Sequence, residues 1–342
     1  RPGFSILEVL VALAILSIIM LVILKIITET GRAWKSSSAK IEAFQSARMA
    51  FETMNRSLGQ ATLNTYYDYY DATRNKRTNT NSATFVPDVY GRYSELQFIS
   101  GKSLVTTPRQ QVSHSVFFQT PLGYSANSGS YGQLEGLLNS VGFYIEFNSD
   151  QADRPSFFSA LPGSSSKIRY RYRLMQMLQP SEQLSTYSVT DTSWFTGPIN
   201  SGSPPTRLLA ENILACVIYP HMPGDTTGTS APAPTPAPIL LTGDYEYNTR
   251  VAWTSGAQPP TMNQLPPLVE VVLIAADEIS MLRVQGTSTT QPSLGFDYSS
   301  VFQIPANLDA DIQTVSQALI SKHVKFRVFR RDIVIRQAHW SQ

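Results

Sequence analysis

Gly3-Phe4-Ser5-Ile6-Leu7-Glu8-Val9-Leu10 opens the chain and runs into an apolar block that ends at Leu24. The block from Phe4 to Leu24 holds 21 residues, and Glu8 is its one charge. A helix needs ~20 apolar residues to span a bilayer core, so the block is long enough. A carboxylate in hydrocarbon costs roughly 2.5–3.5 kcal/mol at a helix centre on insertion scales, and less near an end. An acid kept in such a place points to a function, and the question is which partner it meets.

The helical pattern does not stop at Lys25. Trp34, Ile41, Phe44, Ala47, Phe51, Met54 and Leu58 recur at intervals of 3, 4 or 7, the period of an amphipathic helix. Lys35, Ser38, Lys40, Glu42, Gln45, Glu52 and Arg56 fall on the other face. The spacing predicts one helix from about Ser5 to about Leu63, with its second half packed against an outer domain. Gly31 sits near the junction and is either an easy place to bend or a tolerated helix glycine, which costs ~1 kcal/mol relative to alanine.

The opening residues resemble the signature of type IV pilins and type II secretion pseudopilins: Gly-Phe-(Ser/Thr)-(Leu/Ile)-(Leu/Ile)-Glu followed by an apolar run. Gly3, Phe4, Ser5, Ile6, Leu7, Glu8, Val9 and Leu10 carry the resemblance. It implies that a prepilin peptidase cuts between Gly3 and Phe4 and methylates the new amino group on Phe4. It implies that Glu8 then meets the amino terminus of a neighbouring subunit in a filament core. An α-ammonium and a carboxylate are each costly alone in hydrocarbon and less so when paired. Arg1-Pro2-Gly3 reads as the end of a basic leader that keeps this end cytoplasmic. A cleaved secretory signal has a shorter apolar region, ~7–15 residues. An ordinary signal anchor explains the apolar run but not a glycine, an aromatic and an acid at these spacings. The tip-most pseudopilin of the K type lacks this glutamate, so Glu8 implies a subunit with another above it.

The expected organisation is leader residues 1–3, a helix over 4–65 that is transmembrane over 4–24, and a globular β-rich domain over 66–342. The fold class is α+β and pilin-like: a long N-terminal helix packed on a mostly antiparallel β-sheet. The chain has 342 residues, enough for one large outer domain or two small ones. Its net charge of +2 gives no reason to expect nucleic acid as a partner. Cys216 is the single cysteine, so no intrachain disulfide can form and the outer domain relies on its core. It lies in the apolar run Ile213–Ile218 and reads as a buried thiol.

Strand patterns follow the helix. Glu95–Ile99, Val141–Phe147 and Ile168–Leu174 alternate. In the last, Arg169, Arg171 and Arg173 share one face, read as a basic solvent face in preference to a nucleic-acid stripe. Tyr66–Asp71 reads as the exit loop of the helix packed on the sheet, with a sticky contact surface as the alternative. Residues 72–84 are polar and aperiodic, hence a loop. The Pro-rich stretch 223–238 reads as an extended exposed insertion. Residues 276–284 continue the sheet or form a short helix. Asp309–Lys322 is a predicted helix and His323–Arg336 a predicted last strand.

The order of elements over 207–275, a Leu-Glu-Asn element, a strand, a proline break, Trp253 and a Val-rich strand, is similar to large minor pilins and J-type minor pseudopilins. The ending Phe329-Arg330-Arg331…Ile335-Arg336…Trp340 also resembles a pilin-like group described as Verru_Chthon cassette protein C.

No catalytic constellation is legible. His114, His221, His323 and His339 are scattered without ligand spacing, and no phosphate-binding Gly-rich loop or G-x-S-x-G occurs. Asp309/Asp311 and Asp150/Asp153 could offer oxygens to calcium, but neither sits in an EF-hand-type loop. No catalytic, cofactor or metal residues are assigned, and no enzyme activity is expected. The resemblance implies a structural subunit whose partners are other pilin or pseudopilin subunits, the prepilin peptidase, an inner-membrane assembly platform and, before assembly, the lipid bilayer. The alternative is a membrane-anchored adhesin or binding module, with loops 72–84, 120–133, 223–238 and 285–300 as contacts. Either way the expected location is the bacterial inner membrane, the domain extracytoplasmic, and a filament.

Overall fold

The computed structural model describes residues 5–106, 109, 111–131, 134, 136–151, 154, 157, 168–223, 241 and 243–340. Gly3, Phe4, Asp153 and the Pro-rich stretch from 224 onward lie outside the described residues.

Helix α1 spans Ile6–Gly59. At ~1.5 Å per residue it is about 80 Å long. It continues through Gly31 without a break. It ends four residues before the expected Leu63, because the chain there turns to the sheet: the Thr62 N–H donates to the Gln119 carbonyl at 2.9 Å.

Strands β1 (Tyr66–Tyr70) and β2 (Val89–Tyr93) form an antiparallel hairpin. Tyr66–Tyr70 is therefore a strand, not an exit loop, and its partner centres on Gly91. Then come β3 (Ile99–Gly101), β4 (Ser115–Pro121), the short α2 (Ser128–Tyr131), β5 (Leu138–Ser149), β6 (Tyr170–Gln179), α3 (Ser193–Ile199) and β7 (Thr206–Glu211). The rest are β8 (Ile213–His221), β9 (Tyr247–Asn248), β10 (Leu268–Ala276), α4 (Glu278–Gln285), α5 (Leu308–Ser321) and β11 (Phe326–Val334). The fold is α+β. A six-stranded antiparallel sheet has the order β7-β6-β5-β4-β3-β9, and a three-stranded antiparallel sheet has the order β11-β10-β8.

The expected strand Glu95–Ile99 begins only at Ile99. Side chains take the place of the ladder before it. The Gln97 N–H donates to Gln119 Oε1 and the Phe98 N–H to Thr249 Oγ1, both at 2.9 Å.

Asn212 is the switch between the two large sheets. It alone separates β7 from β8 and adopts φ 58°, a left-handed conformation that asparagine tolerates better than most residues. Its N–H donates to Tyr172 O in β6, and its carbonyl accepts from Ala276 N–H at the end of β10. Ser113 and His114 stitch the sheets a second time. The His114 N–H and Ser113 Oγ both donate to Cys216 O, at 3.1 and 2.8 Å.

One apolar cluster joins α1 to both sheets. Ala47, Ala50, Phe51, Met54 and Leu58 are buried with residues of β4, β5, β8, β10 and α5. On the other face of the six-stranded sheet, Trp194, Phe195 and Ile199 of α3 cover Phe117, Tyr144, Met175 and Met177. Phe117 and Phe195 stack with ring centroids 4.0 Å apart. Gly142, directly across from Phe117, leaves the space for that ring: a Cβ at Gly142 would lie 2.1 Å from Phe117 Cδ1.

Candidate assembly helix and outer surface

The two halves of α1 have opposite surroundings. Residues 5–34 are exposed throughout, Ile6 by 82% and Leu7 by 70%. From Ile6 to Trp34 the helix is long and apolar enough to cross a membrane. Burial begins only near Phe44 and becomes complete at Ala47. Of the predicted apolar stripe, Ala47, Phe51, Met54 and Leu58 are buried and Phe44 is half-buried, but Trp34 and Ile41 are 74% and 56% exposed. The outer domain reaches up the helix only to about Lys40, so Trp34 lies beyond it and Ile41 sits at its edge, in a cleft shared with β11. The last strand is one part of the joint, beside β7 and β10. Phe51 meets Phe329 of β11 with ring centroids 5.7 Å apart, and Glu52 lies 3.4 Å from Arg331.

At the free end, Ser5 and Glu8 close a capping box. The Leu7 N–H donates to Ser5 Oγ at 3.2 Å, and the Ser5 N–H donates to Glu8 Oε2 at 2.9 Å. This satisfies two of the backbone donors that every helix start leaves open, and the carboxylate sits favourably at the positive end of the helix. Glu8 therefore has an intrachain role in the single subunit, and its side chain remains exposed. Gly3 and Phe4, the predicted processing residues, precede the described residues.

The outer domain differs from the sequence reading at the arginine stripe. Arg173 is only 2% exposed and donates to the Ser149 carbonyl at 3.0 Å. Arg171 pairs with Glu211 and Glu278, and Arg169 lies 3.4 Å from Glu278. Asn212 Nδ2 also donates to Glu278, at 2.7 Å. Arg171 and Arg173 are thus drawn into the fold near the sheet switch and are not part of a basic solvent face, whereas Arg169 stays exposed at its edge. The acids come from β7 and from the first turn of α4, elements that no local alternation could bring into view.

Loop 72–84 is built rather than loose. Asp71 Oδ1 accepts from Thr73 N–H and Asn75 N–H, both at 2.9 Å. Those bonds, the Asn75 one foremost, hold the Asp71 carboxyl below its usual range. Arg74 reaches Asp88 at 2.6 Å and lies over the Trp253 ring. Beside this loop, Tyr67, Tyr69 and Tyr90 form an exposed aromatic group on the β1–β2 hairpin. Stretch 285–300 is likewise tied down, with Tyr298 Oη donating to Leu214 O at 2.7 Å.

Asp309 and Asp311 do not converge. Asp309 pairs with Arg330, and Asp311 accepts from Phe302 N–H at 2.7 Å. Asp150 pairs with Arg154 at 2.8 Å. Cys216 is fully buried, and burial pushes its thiol up to about 12, so it is unreactive. His114 is buried and uses both ring nitrogens. Nδ1 accepts from Ile218 N–H at 3.3 Å, leaving Nε2, 3.2 Å from the Phe302 carbonyl, as the donor. Among the described residues the fold gathers a set of ligand-type side chains that the sequence does not group: His221, Glu270 and Asp332, on three adjacent strands.

Comparison with known proteins bears on the helix. Residues 6–64 match the family described as "Competence system putative prepilin ComGE". The match covers α1 and the few residues that follow it and does not reach the sheets. No match to the chain was found among curated proteins. The segment that holds the free helix half, its Glu8 cap and its joint to the outer domain is similar to a prepilin.

Proposed function

We propose that the chain is a large minor pilin or pseudopilin, a structural subunit of a type IV pilus-like or type II secretion filament and not a catalyst. The observation that carries this reading is the division of α1. One continuous helix has a first half whose apolar side chains are all exposed and a second half buried in the outer domain. So large an apolar surface is stable only against lipid or against like helices. The same helix can serve both states in turn, first spanning the inner membrane and then bundling with neighbours. The similarity of residues 6–64 to a prepilin family supports the same reading.

In this account prepilin peptidase cuts between Gly3 and Phe4 and methylates Phe4. The assembly platform then lifts the subunit from the bilayer into the filament. Glu8 exchanges its bond to its own Ser5 N–H for the Phe4 ammonium of a neighbour. In a low-dielectric core either charge is costly alone and less so when paired. The outer domain faces outward, and its loops and tyrosine hairpin give the subunit its identity.

Replacing Glu8 by alanine is the test. The variant should remain in the membrane fraction and be depleted from sheared filaments. Normal incorporation of Glu8→Ala would exclude the pairing role.

The exposed tyrosines of the hairpin favour one second reading, a membrane-anchored adhesin or binding module. It predicts that removing the three rings leaves assembly intact and abolishes surface attachment.

A further inference from the structure

His221, Glu270 and Asp332 stand on the three strands of the β11-β10-β8 sheet, at the end away from α4. Glu270 pairs directly with Asp332 across β10–β11, and His221 pairs with Leu268, two residues along β10. The pleat therefore points all three to one face. This is the face opposite α1, because the residues that meet α1 from β11, Phe329 and Arg331, alternate with Asp332. One ligand atom from each of the three lies within 4.8 Å of the others.

The histidine is set up as a ligand. It is only 7% exposed. Its Nδ1 lies 3.0 Å from the Met222 carbonyl, which can only accept, so Nδ1 carries the proton there. That leaves the Nε2 lone pair aimed into the cluster, where it has no hydrogen-bond partner. A backbone carbonyl on the far nitrogen is the usual way a metal-binding imidazole is oriented. Nε2 and Asp332 Oδ1 are 3.5 Å apart. That is longer than a good N–H···O bond, ~2.7–3.2 Å. It matches two ligands held ~2.0–2.2 Å from one ion, which stand roughly 3.0–3.5 Å from each other.

We infer that His221, Glu270 and Asp332 form a site for a zinc-type divalent cation that clasps the three strands together. One imidazole and two carboxylates suit zinc or a related transition metal better than calcium, which takes oxygen ligands almost alone. Arg330 donates to the Glu270 carboxylate and also to Asp309, which fixes the direction of Glu270 from outside the cluster. The Asp332 side chain is 62% exposed, so it supplies the entry path and the freedom to close on the ion. The clasp bears on one of the strands that meet the helix, since Arg331 next to Asp332 faces Glu52 of α1.

The test uses the full chain in detergent, stripped with a chelator and titrated with zinc chloride by calorimetry, with calcium chloride in parallel. One equivalent of zinc should bind, calcium should not compete, and zinc should raise the unfolding temperature. Asp332→Asn and His221→Ala should each weaken binding by at least about tenfold and remove the thermal shift. Asp332→Asn alters an exposed side chain and should fold normally, so it keeps the test decisive if His221→Ala does not fold. Absence of zinc binding up to about 1 mM, or binding that Asp332→Asn retains in full, would overturn the site. Neither result bears on filament assembly.

Discussion

Ser5 N–H and Glu8 Oε2 are 2.9 Å apart, so the one acid of the apolar block is already engaged within its own helix. This separates two roles that a substitution to alanine would merge. Glutamine can still accept from Ser5 N–H through its amide oxygen, but it has no charge for a neighbour's ammonium. Glu8→Gln should therefore keep the helix start intact and still be depleted from filaments, as judged by immunoblot of sheared and membrane fractions. Wild-type incorporation of Glu8→Gln with loss of Glu8→Ala would make capping, not pairing, the role of this residue.

The joint between stalk and domain should depend on the second half of α1 alone. Phe51 is buried against Phe329, and Phe51→Ala should destabilise the chain by about 3–5 kcal/mol. Trp34 is 74% exposed, and Trp34→Ala should stay within about 0.5 kcal/mol. Denaturant unfolding of the full chain in detergent, followed through the β-sheet signal, compares the two.

Gly142 tests the packing under α3. Its missing Cβ makes room for Phe117, which is held from the other side by Phe195. The ring cannot simply swing away, so Gly142→Ala should cost about 1–3 kcal/mol from overpacking. A thermal unfolding comparison with wild type reads this, and an unchanged midpoint would mean that Phe117 has another rotamer available.

His114 gives the fold an acid-sensitive point. Burial lowers its pKa from 6.5 to about 3, and Nδ1 must stay unprotonated to accept from Ile218 N–H. In the unfolded chain this histidine takes a proton below about pH 6.5, whereas in the fold it stays neutral to about pH 3. The unfolded state thus binds more protons in that window, and stability falls as pH drops from about 6.5 toward 3. Unfolding midpoints measured across this range should fall more steeply for wild type than for His114→Gln.

The helix, its apolar block and its amphipathic second half were all legible in the sequence, because each is a local pattern with a 3.6-residue period. The strands expected at Val141–Phe147 and His323–Arg336 were legible for the same reason, with a period of two, and the second forms over Phe326–Val334. What stayed hidden depends on partners remote in the chain. Arg171 looks like a solvent residue until Glu211 and Glu278 are brought beside it. Glu95–Phe98 alternates like a strand, yet side chains of Gln119 and Thr249 replace its ladder. Tyr66–Tyr70 becomes a strand only because the unpatterned segment around Gly91 pairs with it. His221, Glu270 and Asp332 have no recognisable spacing, since sheet order, not sequence order, brings them together. The exposure of Trp34 and Ile41 was hidden too, because periodicity gives the face of a helix but not how far a domain extends beneath it.

The proposed role rests on processing of the chain and its incorporation into a filament through the first half of α1. Mass spectrometry of the chain's amino-terminal peptide, taken from purified filaments and from membranes, tests it most directly. The filament-borne chain should begin at Phe4 and carry one methyl group on its amino nitrogen. A chain found only in membranes, with Gly3 and the residues before it still attached, would contradict it.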